Sequence, residues 1–113
     1  MAYYNRSVAY NHLGNYQQAV ADSNRAIELD PKNANAYVNR GFAYKKLGDY
    51  QQALADCNRA IELDPKNANA YANRGFAHWK LGYNERAISD YKTAARLGHK
   101  ESQDYLRSQG ISW

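Results

Sequence analysis

A single cysteine, Cys57, and only two prolines occur among the 113 residues. One thiol excludes an intramolecular disulfide framework and a multi-cysteine metal site, and it is compatible with a reducing compartment. No stretch approaches the roughly 20 apolar residues of a membrane helix. The opening Met1-Ala2-Tyr3-Tyr4-Asn5-Arg6 has no charged leader followed by an apolar run, so no signal peptide is read there. A cytoplasmic location with no membrane attachment is the expectation. Glycine is sparse, and each of the seven stands alone, which excludes a glycine-rich phosphate loop. His12, His78 and His99 lack metal-ligand spacing, and no nucleophile–base constellation is visible, so neither an enzyme nor a cofactor is expected. The net charge of +4 favours an acidic partner over a basic one but falls far short of a dense nucleic-acid-binding stripe.

What the chain does have is repetition. Residues 3–36 and 37–70 differ at eight positions: Tyr4/Val38, Ser7/Gly41, Val8/Phe42, Asn11/Lys45, His12/Lys46, Asn15/Asp49, Val20/Leu54 and Ser23/Cys57. Residues 71–104 keep Tyr71, the run Asn73 to Ala77 and Lys80-Leu81-Gly82, and then drift. A fixed period of this length means stacked supersecondary units, none of which can bury its own apolar face alone.

Each unit reads as two helices. The first runs from an Asn-Ala-Asn segment to a Leu-Gly pair (Leu13-Gly14, Leu47-Gly48, Leu81-Gly82), where glycine suits the left-handed residue that closes a helix. Asn15 or Asp49 then signals a new start before Tyr-Gln-Gln-Ala. Ala19, Ala26, Ile27 and Leu29 recur at helical spacing, as do Ala53, Ala60, Ile61 and Leu63. Asp-Pro ends the second helix, because proline disfavours helical geometry in the residue before it. Helices of about 13 residues are marginal alone, so packing must hold them.

These residues resemble the tetratricopeptide-repeat family. Tyr37, Gly41, Tyr44, Gly48, Tyr50, Ala53, Ala60 and Pro65 carry the resemblance in the second unit; Tyr3, Tyr10, Gly14, Tyr16, Ala19, Ala26 and Pro31 carry it in the first. The third matches at Tyr71, Gly75, Gly82, Ala87 and Ala94 but has Asn84 where tyrosine is usual and His99 where proline is usual. The resemblance implies an all-α fold: an α-solenoid of three antiparallel helix hairpins in a right-handed superhelical stack. The chain divides into repeats at about residues 2–33, 34–67 and 68–100, with a capping helix at about 101–110. In that helix Tyr105 and Leu106 are expected to cover the third unit, and Gly110 to close it in a Schellman turn with Ile111 folding back on Leu106. Nothing comparable covers the first unit, whose Tyr3 and Tyr10 are expected to lie bare. That suggests a piece of a longer array, or a homodimer through the N-terminal end.

The resemblance further implies that the first helices line a concave groove, with Asn5, Asn39 and Asn73 forming a ladder along it. Asparagine both donates and accepts, so it can hold an extended peptide's backbone; the same amides could instead satisfy neighbouring helices or face water. Tyr4, Val38, Ala72, Val8, Phe42 and Phe76 would flank the ladder, with Asn11, Lys45 and Trp79 beyond and His12, Lys46 and Lys80 near the rim. Phe42 and Phe76 could equally serve packing between helices. Aromatic anchors beside lysines suit a peptide mixing apolar and acidic residues. Some family members grip a C-terminal carboxylate with a two-carboxylate clamp. Of those positions only Asn39 matches, since Tyr4, Val8, Asn69 and Asn73 occupy the others, so that mode is not expected. Arg6, Arg40 and Arg74 recur with Asp22, Asp56 and Asp90 where the family is usually nonpolar, and structural ion pairs are expected: Arg40 with Asp56 or Asp22, Arg74 with Asp90 or Asp56. Cys57, aligned with Ser23 and Tyr91, reads as a packing residue. The leading reading is a protein-interaction scaffold. The alternatives are a nucleic-acid-binding helical repeat, suggested by the tyrosines and Lys45, Lys46 and Lys80, and a self-associating duplicated or engineered scaffold.

Overall fold

The computed structural model describes residues 2–113 and is helical throughout: α1 Tyr3–His12, α2 Tyr16–Leu29, α3 Ala34–Leu47, α4 Tyr50–Leu63, α5 Ala68–Lys80, α6 Asn84–Arg96 and α7 Lys100–Ser108. The helix starts follow local chemistry. The Asn33 and Asn67 side chains accept from the Ala36 and Ala70 amides, and Asp49 accepts from Gln52, each filling one orphan N–H of a first turn. Asn15 has nearly the backbone of Asp49 but makes no such bond. The stops repeat one device. Gly14, Gly48, Gly82, Gly98 and Gly110 all have positive φ. The residue after each donates to a carbonyl five positions back, as from Asp49 to Tyr44 at 2.9 Å and from Ile111 to Leu106 at 2.9 Å. Gly110 has φ 68° and Leu106 is fully buried, so the chain end closes as its residues foretold.

Consecutive helices pair as antiparallel hairpins (α1/α2, α3/α4, α5/α6), and α2 packs on α3 and α4 on α5, so the hairpins stack along a body of 43 × 24 × 21 Å. The core that joins them is built of small residues: Ala19, Ala36, Ala43, Ala53, Ala60, Ala70, Ala77 and Ala94 have no exposed surface. Small side chains bring backbones close, and at Gly75 the approach is tightest. A Cβ there would lie 3.2 Å from Tyr91, 3.3 Å from the Ala87 carbonyl and 3.3 Å from Asp90. α7 lies against α6 and inserts Leu106, the largest fully buried side chain of the chain's described part.

Two expectations from the sequence give way. Leu29, expected on the packed face of α2, is 72% exposed. α2 has 14 residues and α1 only 10, so the last turn of α2 outruns its antiparallel neighbour, whereas Leu63 of α4 faces a 14-residue α3 and is partly buried. Tyr3 and Tyr10 are partly buried rather than bare. The Arg6 guanidinium sits 5.7 Å from the Tyr3 ring and 5.9 Å from that of Tyr10, and Arg25 lies 5.4 Å from Tyr3. Long arginine stems shield apolar surface while keeping their charge wet, which shrinks the apolar area that a dimer through this end would cover.

Candidate functional site

The recurrent arginines and aspartates pair within each hairpin. Arg6 donates to Asp22 at 2.6 and 2.9 Å, Arg40 to Asp56 at 2.9 and 2.6 Å, and Arg74 to Asp90 at 3.0 and 2.8 Å. All three are two-pronged, the strong geometry for guanidinium and carboxylate. Arg40 also donates to Asn24, and Arg74 to Asn58, of the preceding hairpin at 2.9 and 3.0 Å, so these two arginines fasten units together as well. His78 joins the third pair through a 2.8 Å contact with Asp90. The hydrogen bonds from Arg6 hold the Asp22 carboxyl below its ordinary range. At Asp56, deeper in the stack, loss of hydration outweighs the same bonds and the carboxyl is pushed up.

With the second helices fixed this way, the first helices face a cleft of about 790 Å3. It runs from Tyr4, Val8, Asn11 and His12 of α1, past α3 and α5, to His99, Glu101, Ser102 and Tyr105 at α7. Its apolar floor is Val38, Phe42, Ala72 and Phe76. Tyr16 and Tyr50 pack against Phe42 and Phe76 with centroids 6.3 Å apart in both cases. The phenylalanines therefore both line the cleft and join helices.

Of the residues expected to form the site, Asn39, Asn73, Phe42, Phe76 and Lys45 line this cleft, whereas Asn5, Lys46, Trp79 and Lys80 do not. Asn5 is exposed, because the equivalent amides point toward a preceding unit and Asn5 has none before it among the described residues. Lys46 and Lys80 are exposed outside the lining, Lys46 with its ammonium over the Phe42 ring at 5.5 Å and Lys80 over the Trp79 and Phe76 rings at 4.8 and 5.7 Å, and Trp79 is half exposed. Asn35, Asn69, Tyr91, His99, Glu101, Ser102 and Tyr105 complete the lining. The α7 members were not legible as cleft residues, because their place depends on how the last helix turns back over α6.

The asparagine ladder is not a free row of amides. Ser7 donates its hydroxyl proton to the Tyr4 carbonyl at 2.6 Å, so its oxygen must accept the Asn39 amide at 2.7 Å. That orients Asn39 with its Oδ1 toward Asn11, whose Nδ2 donates to it at 2.8 Å and to the Asn39 carbonyl at 3.0 Å. The chain of bonds is polarised end to end. It leaves Asn11 Oδ1 as the one buried side-chain acceptor without a donor among the described residues. One unit later Gly41, Cys57 and Lys45 replace Ser7, Ser23 and Asn11. Lys45 Nζ donates to Asn73 Oδ1 at 3.0 Å and lies 4.7 Å from the Phe42 centroid and 5.0 Å from that of Phe76. Burial, with Lys46 adding repulsion, lowers the Lys45 ammonium to about 8. Cys57 is fully buried, and its thiol is pushed up to about 12 by loss of hydration, the chemistry of a packing residue.

Comparison with known proteins agrees with this architecture. Models described as tetratricopeptide repeat match residues 34–67 and 68–97, and one described as TPR repeat matches residues 8–48. Among solved structures, the second TPR of Spaghetti (RPAP3) bound to HSP90 peptide SRMEEVD is 35% identical. Its TM-score is 0.81, with 84% of this chain and 88% of that chain covered. The second TPR domain of human RPAP3, in complex with HSP70 peptide SGPTIEEVD, is 32% identical with a TM-score of 0.85, covering 98% and 94%. The Arabidopsis OM64 TPR domain is 31% identical with a TM-score of 0.85, covering 95% and 93%. No curated protein sequence matched.

Proposed function

The chain belongs to the tetratricopeptide-repeat family, and from that premise we propose that it is a protein-interaction scaffold whose concave cleft holds an extended peptide bearing apolar and acidic residues. The observation that carries this reading is the lining of the cleft: an apolar floor of Val38, Phe42, Ala72 and Phe76 with one ammonium, Lys45, set between the two rings. Apolar side chains of a ligand would gain from leaving water against that floor, at about 25 cal/mol per Å2. An acidic one would meet the cation. Because small residues and interunit bonds hold the stack rigid, little ordering of the cleft opposes binding. Two of the solved relatives hold peptides of mixed apolar and acidic sequence, which accords with the same use here.

An amide-proton NMR titration with a library of acidic-apolar nonapeptides tests it. Shifts should concentrate in α3 and α5, and Phe76→Ala should weaken binding at least tenfold while the fold persists. Shifts confined to the outer faces of α2 and α4 would overturn the reading.

A further inference from the structure

Among the partly buried cations of this protein, Lys45 differs from Arg40 and Arg74 in one respect. Each of the two arginines is fastened to an aspartate by two hydrogen bonds, whereas Lys45 has a single bond to the neutral oxygen of Asn73 and no carboxylate within salt-bridge distance among the described residues. An ammonium has three donors. Two remain on Lys45, which stands partly buried in the cleft. Burial lowers its proton affinity, as expected of a charge brought in without its counter-ion.

The rest of the lining limits what that counter-ion can be. Among the described residues Lys45 is the only lysine or arginine that lines the cleft, and Tyr4, Val8, Asn69 and Asn73, which also line it, are uncharged. The one acidic lining residue, Glu101, stands at the α7 end. A peptide's last residue, when acidic, brings two carboxylates within a few ångströms of each other, and one ammonium carries the charge to neutralise only one of them. The second would be desolvated without a counter-ion. The cleft also runs from α1 past α3 and α5 to α7, so a chain can lie along it with residues on both sides of Lys45.

We propose that this cleft takes an internal segment of an extended peptide, seating a single aspartate or glutamate side chain on Lys45 between Phe42 and Phe76, and that it makes no use of the peptide's terminal carboxylate. This rests on the cleft being a peptide site, and it departs from the solved relatives, whose bound peptides both end in EEVD. One acidic residue flanked by apolar ones is then the motif read, with the flanking side chains against Val38 and Ala72.

Two peptide arrays distinguish the possibilities. In one, apolar nonapeptides with Asp, Glu, Asn or Gln at the centre are blocked by N-acetyl and C-amide groups. In the other, the same sequences carry free C-termini. Binding by the blocked Asp and Glu peptides within about twofold of the free ones, and at least tenfold tighter than the Asn and Gln peptides, is the expected result. Lys45→Gln, which retains a donor for Asn73, should reduce the acidic-over-neutral preference to near unity, whereas Lys46→Gln should leave it standing. A requirement for the free C-terminus, or a preference that survives Lys45→Gln in a variant with unchanged circular dichroism, overturns the inference and leaves the cleft a peptide site. Binding by neither array overturns both.

Discussion

The junction between the first and second hairpins and the junction between the second and third are built from nearly the same sequence, yet they are joined differently. At the first, Ser7, Ser23, Asn11 and Asn39 form a polar network with no charge in it. At the second, Gly41 and Cys57 remove both hydroxyls, and Lys45 reaches Asn73 alone. Asn39 and Asn73 occupy equivalent positions in their repeats, but one is a structural lock and the other orients a cation that faces the cleft. The lesson is that a repeated residue takes its role from what the previous unit presents to it. A copied position is not a copied function.

The comparison can be broken most severely at the ion pairs. Asp56→Ala strands Arg40, which is only 22% exposed, and should cost about 3–5 kcal/mol in urea unfolding. Asp22→Ala frees Arg6, already 47% exposed, and should cost clearly less, because water can replace the aspartate. Equal losses would show that the two hairpins bury their pairs alike. Next in size, the double change Ser7→Gly with Ser23→Cys gives the first junction the residues of the second. It leaves the Asn39 amide without its acceptors and should destabilise by about 1–3 kcal/mol. Adding Asn11→Lys should recover part of that loss, since a lysine can donate to Asn39 as Lys45 does to Asn73. No recovery would mean that the lysine at the second junction depends on the Phe42 ring of its own helix, whose counterpart in the first unit is Val8.

A smaller effect separates the junctions by pH. The folded Lys45 value of about 8 lies below its ordinary 10.5. The unfolded chain therefore binds the extra proton between those values, and its contribution to stability rises with pH across that window. Cys57 and Tyr91, both raised to about 12, act in the opposite direction above pH 9. The quantity to measure is thus the difference between the parent protein and Lys45→Met, whose slope should be positive from pH 8 to 10.5. The smallest contrast lies in acid. Asp22 is depressed, so its contribution is present above 3.8 and lost as the pH falls through its folded value. The gap between parent and Asp22→Asn should narrow in acid.

Much of this was legible in the residues. The 34-residue period, the Leu-Gly stops, the Asp-Pro ends and the alanine spacing together specify hairpins that cannot stand alone, because each device acts on its own neighbours in the chain. The Gly110 closure was legible for the same reason. The partners of the arginines were narrowed to two candidates each, and only packing chose between them. The place of Phe42, Phe76 and Lys45 on the cleft was implied by the family resemblance, which puts the first helices along the concave face, and the two phenylalanines serve packing between helices as well. Lys46, one position on, is exposed outside the cleft, and Trp79, though in register with Lys45, is half exposed, with the short α7 following its unit among the described residues.

The sequence by itself determined which segments are helical, where each helix stops, how many hairpins there are and that they must stack, since those depend on contacts within a turn or on a period repeated along the chain. Only the tertiary structure decided that Asn39 is spent on Ser7 and Asn11, that Asn5 faces outward, that Tyr3 and Tyr10 lie beneath arginines, and that Lys45 enters the cleft with no carboxylate beside it. Apart from the Arg6 contacts with Tyr3 and Tyr10, which lie within one turn of the same helix, these depend on what residues 16 to 32 positions away bring to the same point in space. No local propensity carries that information, and near-identical repeats resolve it differently as soon as their neighbours differ.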